Sequence, residues 1–479
     1  MNRFLGVASV SAIVGITAAA GLVSSVGTSA GATAGPWGTP VAVSAPGVNS
    51  GEPQIDAATD GTLYVNAPAG LLSNLPGSPS FVWRSDDQGA TWTLTPPSLR
   101  ANLPGGGDSD LAVDKATGKL YMTDLWLGSS TVSFSTDKAT TWTANPLEGV
   151  VVQDRQWIAT TGNDVAYHLT HQIPAGLVVS KSVDGGLTYP VNSLAATPLD
   201  QTGCVCPPGN LIAEGSGATL GTSDMVGLVY ATSTGGVSFA RSVDGALTFT
   251  NQTVSPASSA DTTQAFPVVT DGGAGHLAAA WMEVFAASTR VMESQSSDFG
   301  QTWSTPRAIV TAGTSLYPWI DAQGSKIAVT LYHNDTVSTP TNMPAGKPWY
   351  ESYLESDDSG TTWSALQTID PVPVKTGQIC TGGINCTGNR ELLDLQSVTI
   401  DANGLANAAY TRSVDNVSAT LIMFVRQTVA PAATTSTTST TSSTSSTSST
   451  SSTTSTTSTT STSTTSTTLA GANHHKPKH

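Results

Sequence analysis

Six times this chain spells Ser-x-Asp-x-Gly-x-Thr-aromatic, twice with Ala in place of Gly. The copies are SDDQGATW at Ser85, STDKATTW at Ser135, SVDGGLTY at Ser182, SVDGALTF at Ser242, SSDFGQTW at Ser296 and SDDSGTTW at Ser356. They recur at roughly 50 residues, within the period range of solenoids and propellers. A second signature precedes the box, an alternating strand, a turn with Asp or Gly, and another strand. It reads QIDAATDGTLYV at Gln54, DLAVDKATGKLYM at Asp110, WIATTGNDVAYH at Trp157, PVVTDGGAGHLAAAW at Pro267 and WIDAQGSKIAVTLY at Trp319. Alternation of period two bounded by turn residues is a hairpin signal. A third strand runs into the box and a fourth leaves it, so each unit predicts a four-stranded antiparallel sheet, the blade of a propeller.

The blade count depends on the ends of the repeat. Units begin near Gln54, Asp110, Trp157, Leu211, Pro267, Trp319 and Val398, and the last ends at Thr428 without a box or a fourth strand. The segment PWGTPVAVSAPG from Pro36 copies TWSTPRAIVTAG from Thr302, a box exit and fourth strand. An all-β, seven-bladed propeller follows, with the N-terminal strand Trp37 to Ser44 closing the last blade; six blades is the alternative. Within the box, Ser and Asp oxygens accept local backbone N–H groups, Gly takes a left-handed conformation, and the aromatic packs between sheets. Ala139 and Ala246 stand where Gly does elsewhere, which predicts strained or reshaped turns in blades two and four.

Outside residues 35–430 the chain changes character. A cationic start at Asn2-Arg3, an apolar run from Phe4 to Val23 and the small-residue site Ala32 to Ala34 read as a secretory signal peptide over 1–34. From Thr434 to Thr468 nearly every residue is Ser or Thr, so 431–479 is expected to be a disordered, O-glycosylatable or plain linker tail. The reading is a secreted, extracellular or surface-associated monomer with no membrane anchor once the signal is cut. A net charge of −15 argues against nucleic acid, whose phosphates need clustered Lys and Arg. Export favours disulfides over zinc for Cys204, Cys206, Cys380 and Cys386. Two pairings of Cys380 and Cys386 are open: with Cys204 and Cys206 across the ring, which is slightly preferred because it avoids a strained Cys204–Cys206 ring, or with each other.

At the box residues the sequence resembles the Asp-box (BNR-repeat) propellers, a group that includes sialidases, from about Trp37 to Thr428. Chemistry is then expected on the face opposite the boxes. Blade connectors bring Glu52, Asp108, Asp110, Asp154, Arg155, Trp157, Tyr317, Arg390, Glu391 and Asp394 to that face. The loops between second and third strands bring Asp124, Trp126, His168, His171, Glu283, His333 and Asp335.

What the sialidase resemblance implies is a retaining exo-glycosidase without a cofactor. Tyr317 and Glu283 would form the nucleophile pair, Asp124 the acid, and Arg155, Trp157 and Arg390 the substrate-binding set. The family's Phe/Tyr-Arg-Ile-Pro motif is absent, SGEPQIDA standing in its place, and only two arginines reach axial positions. The competing function is a non-catalytic propeller that binds a glycan or a cell-surface protein. No metal site is expected, and no serine-hydrolase, zinc-protease or phosphate-cradling motif occurs.

Overall fold

Seven antiparallel sheets stand around a common axis; six are entered by the inner strand and left by the outer one, while the last takes its outer strand from the N-terminal segment. The structure is a computed structural model and describes residues 35–69, 80–97, 107–126, 129–146, 153–197 and 208–429. The expected signal peptide and Ser/Thr tail, and Cys204 and Cys206, lie outside the described residues. Inner strands are Gln54–Ala57, Ser109–Val113, Gln153–Gly162, Leu211–Glu214, Val268–Asp271, Thr314–Gln323 and Ser397–Ile400, within a few residues of the starts read from the repeat. The seven-blade count holds, and the six-blade alternative is excluded.

Closure is made by the chain's two ends. The strand Val41–Ala42 pairs with Phe424 and Met423 of the last blade, and Trp37 bridges Gln427. Backbone bonds from Gly38 N to Arg426 O (2.9 Å) and from Val43 N to Ile422 O (2.8 Å) continue the seam. The Trp37 ring adds an edge contact to Tyr353 of blade six at 4.7 Å.

Neighbouring blades are also tied at the axis by polar side chains on the inner strands. Asp56 accepts the Val113 N–H at 2.8 Å, Asp110 that of Ile158 at 2.9 Å, and Asp321 that of Ile400 at 2.7 Å. Asn210 does the same for Val269, and its amide returns a bond to the Val269 carbonyl. A carboxylate that accepts a backbone N–H of the next sheet satisfies a donor that no strand pairs, at the cost of its own burial. That burial pushes Asp110 up to about 7 and Asp321 up to about 6.

The box turns follow one design. In the first, Gly89 N donates to Ser85 Oγ at 2.8 Å, Thr91 N to Asp87 Oδ1 at 2.8 Å, and Thr91 Oγ1 to Asp87 Oδ2 at 2.6 Å. Two successive residues are left-handed in every copy, as with Gln88 (φ 60°) and Gly89 (φ 89°). The trailing aromatic packs on the preceding blade: Trp92 lies 5.1 Å from Phe424, and Trp303 lies 5.4 Å from Phe239.

Ala139 (φ 60°) and Ala246 (φ 64°) hold the same conformation and the same bond to the box serine, at 3.0 Å each. These turns are strained but not reshaped. Gly89 has no such latitude, because a Cβ there would meet Phe424 Cε1 at 1.9 Å.

Two expectations follow from this scaffold. A chain starting at Gly51 lacks the closing strand, exposes an unpaired edge on blade seven, and should lose soluble monomer or melt well below the full ring by thermal scanning. Replacing Ala246 by Gly relieves a left-handed alanine and should leave stability within about 1 kcal/mol, on the stabilising side. Gly89→Ala should cost several times that, about 2–3 kcal/mol, because overpacking adds to the strain. Urea unfolding of both variants measures the contrast.

Candidate functional site

The face opposite the box turns carries a well at the axis whose floor is charged. Its deepest members sit on backbone irregularities. The inner strand of blade three slips register between Asp154 and Gln156, and Arg155 in the slip has φ 35°. The inner strand of blade six slips between Leu316 and Trp319, and Tyr317 in that slip has φ 52°. Glu52, two residues before blade one's inner strand, has φ 54°. Non-glycine residues in this region cost energy to hold there, and such strain gathers at functional sites. A bulge re-aims a side chain that a regular pleat would send elsewhere. Gly51 lets the blade-seven connector press in, since a Cβ would lie 2.8 Å from Leu393 Cδ1.

Glu52, Arg155 and Tyr317 form the buried floor. Arg155 Nη1 donates to Glu52 Oε2 at 3.3 Å, and the Asp394 N–H donates to Glu52 Oε1 at 3.0 Å. The Arg155 guanidinium lies 3.8 Å above the Trp157 ring and 5.4 Å from that of Phe266, a cation–π seat that holds the fork flat. Its Nε and Nη2 have no hydrogen-bond partner among the described residues. Trp157 is fixed in turn by its indole N–H on Pro208 O at 3.0 Å and by Trp319 at 5.5 Å.

The Tyr317 hydroxyl is also buried without a partner among the described residues, while its carbonyl accepts from Gln396 at 3.0 Å. Asp108, Asp154, Arg390 and Asp394 are the partly exposed rim, with Arg390 ion-paired to Asp394.

The electrostatics separate these acids. Burial, reinforced by the charges of Asp108 and Asp394, pushes Glu52 up to about 8. Asp108 rises to about 6, chiefly through burial, with Arg155 opposing. Asp124 is pushed up to about 8 by burial and, more weakly, by Asp108; Ser80 Oγ donates to its Oδ1 at 2.6 Å, and its Oδ2 has no partner among the described residues. Tyr317 is driven well above 10 by burial and by the charge of Asp394, with Arg390 opposing. Carboxyl groups whose environments drive their pKa values apart are the usual ingredients of acid–base pairs.

Of the residues chosen from sequence, Arg155, Trp157, Tyr317 and Arg390 converge here. Asp124 sits behind Asp108, on the strand that pairs with Ser109. Glu283 does not join Tyr317: it is buried in an ion pair with Arg290 across its own hairpin, and the acids whose charge reaches Tyr317 are Asp394 and Glu52. Period-two reading places Glu283 at a strand end but cannot show which neighbour takes it. His168 is a buried packing residue, bonded to Thr123 Oγ1 at 2.8 Å and driven down to about 3 by burial.

Among the described residues a disulfide joins Cys380 to Cys386, which corrects the preferred pairing across the ring. The connector still reaches beyond its own two blades, because Thr381 Oγ1 donates at 2.9 Å to Gln264 Oε1 of the blade four-to-five connector. Gln264, Phe266 and Gln396 carried no sequence signal. Among the described residues no group of three or more His, Cys, Asp or Glu side chains is placed to hold a metal ion.

No protein-family model matches the chain, and no curated protein sequence does. Solved structures similar to it include a protein of unknown function from Dyadobacter fermentans, at 13% identity and TM-score 0.46, covering 81% of this chain and 98% of that one. The NanB sialidase of Streptococcus pneumoniae aligns at 12% identity and TM-score 0.45, over 82% of this chain and 70% of its own. The α-L-arabinofuranosidase Arb93A of Fusarium graminearum aligns at 11% identity and TM-score 0.44, over 82% and 98%.

Glu52 links the site to stability. Folding raises its pKa from 4.5 to about 8, so the folded state keeps a proton that the unfolded chain releases. Its contribution is therefore fullest below pH 4.5 and declines as pH rises towards 8. A Glu52→Gln variant should flatten that decline in the melting temperature between pH 4.5 and 8, as read by calorimetry across the range.

Proposed function

We propose that this propeller is an exported glycoside hydrolase acting at its axial well on extracellular or surface glycans, with Tyr317 as nucleophile and Asp124 as general acid. The observation that carries the reading is the Tyr317 hydroxyl. It is buried and unpartnered among the described residues, on a strained bulge, beside Asp394, Glu52 and Arg390.

In the first step Tyr317 Oη attacks the anomeric carbon and passes its proton to a neighbouring carboxylate, for which Asp394 is assigned. The glycosidic C–O bond breaks, and Asp124, a carboxyl that burial keeps protonated, gives its proton to the leaving oxygen. Water then displaces the tyrosine from the sugar, with Asp124 as base, and the phenol regains its proton. The N–H groups of Arg155 that have no partner among the described residues, with Arg390 on the rim, suit a sugar that carries a carboxylate, since a guanidinium fork matches that group in two bonds.

Fluorogenic α-sialosides, β-glucuronides and α-L-arabinofuranosides separate the glycone classes. Turnover of an acidic glycoside is expected, with Tyr317→Phe and Asp124→Asn each lowering kcat by about 100-fold or more. The acid must hold its proton, so the wild-type rate should fall as pH rises through about 8. Saturable binding of an acidic sugar with no turnover at any pH overturns hydrolysis and leaves a glycan-recognition propeller.

A further inference from the structure

The connector between blades six and seven is built as a strap. On the way out Asp370 is held by Tyr410 and Arg412, Lys375 pairs with Trp349, and Gly377 O accepts the Trp349 indole N–H at 2.7 Å. Ile379, fully buried, donates its N–H to Pro340 O at 3.0 Å. On the way back the segment Arg390 to Gln396 supplies three groups of the well. Arg390 pairs with Asp394, the Asp394 N–H holds Glu52, and Gln396 holds the Tyr317 carbonyl. A fully buried ion pair between Lys375 and Glu391 ties the two limbs together.

The turn between the limbs is nearly bare. From Gly382 to Asn389 it is mostly exposed, and one 3-10 turn at Gly383–Asn385 is its only regular structure. Three things close it: the Cys380–Cys386 disulfide, a backbone bond from Cys380 N to Asn389 O at 2.8 Å, and the Thr381 bond to Gln264. Asn389, the acceptor of that bond and itself left-handed at φ 57°, is bonded in sequence to Arg390. A cross-link over a short exposed turn acts mainly by removing alternative conformations of the loop it closes. Here those alternatives would swing Arg390 away from the well.

We propose that the Cys380–Cys386 loop is a positioning clasp, which sets the Arg390 guanidinium at the rim of the axial well and thereby governs substrate affinity. Its part in affinity rests on the glycosidase reading above; its part in ordering Arg390 does not. The test uses the full chain with Cys380→Ser and Cys386→Ser together. Amide hydrogen exchange over residues 387–396 should rise at least tenfold, while peptides from the inner strands of blades one to five exchange as in the wild type.

On a turned-over glycoside, KM should rise about tenfold with kcat within a factor of two, as for one misplaced charge-assisted hydrogen bond. A Thr381→Val variant, which keeps the disulfide, should shift both readouts in the same direction by less. Unchanged exchange over 387–396 overturns the clasp, as does a fall in kcat at constant KM. A wild-type protein that turns over no glycoside defeats the glycosidase reading instead, and the exchange arm then decides the clasp alone. Should the double variant fail to fold, the folded wild-type protein is treated with dithiothreitol. The dithiol opens the S–S bond to two thiols and is itself oxidised to its cyclic disulfide. Faster exchange over 387–396 in the reduced protein then supports the clasp, and unchanged exchange overturns it.

Discussion

Closure of the ring is the constraint on which everything else in this molecule rests. Seven sheets that each bury both faces against neighbours have no stable open form, because the last blade would show an unpaired edge and the first an uncovered face. The pairing of Val41 and Ala42 with the final strand resolves both at once. It joins residues far apart in the chain, so the loop-closure entropy has to be offset by the seam and by every interblade contact inside it. The axial bonds of Asp56, Asp110, Asn210 and Asp321 then fix how far four of the blades turn against the next. That rotation determines which inner-strand ends face one another across the axis.

Backbone strain serves two different ends in this ring. In the box turns the left-handed residues recur in register and are answered locally, by the serine and aspartate oxygens within four residues. At Glu52, Arg155 and Tyr317 the left-handed residues are irregular, one to a blade, and each shares at least one bond with another blade: the Asp394 N–H with Glu52, Arg155 with Glu52, and Gln396 with the Tyr317 carbonyl. Repeated strain with a local answer belongs to the scaffold. Isolated strain with a distant answer aims a side chain, and all three of these side chains are aimed at one well.

The well's acidity follows from the same architecture. The connectors converge where the inner strands end, so carboxyl groups from blades that are remote in sequence are buried together. Burial raises Glu52 and Asp124 to about 8, while Asp108 stays near 6 with Arg155 beside it. A single fold thus presents a proton donor and a more acidic carboxyl within one charged cluster, and seats the arginine between a glutamate and an indole.

The repeat alone determined the blade and the closing strand and favoured seven blades over six, because each is a local pattern copied along the chain: the box, the alternating hairpin, and the kinship of PWGTPVAVSAPG with TWSTPRAIVTAG. It also placed Arg155, Trp157, Tyr317 and Arg390 on the face opposite the boxes, where the structure has them, since strand ends can be counted from the repeat. What it did not determine is which of those ends meet. Glu283 turned to Arg290 on its own hairpin, Asp394 and Glu52 took its place beside Tyr317, and Cys380 closed on Cys386. Those choices depend on bulges that reverse a side chain's direction and on a strap whose path is set by buried contacts with other blades. Neither leaves a period in the sequence, so only the assembled ring decides them.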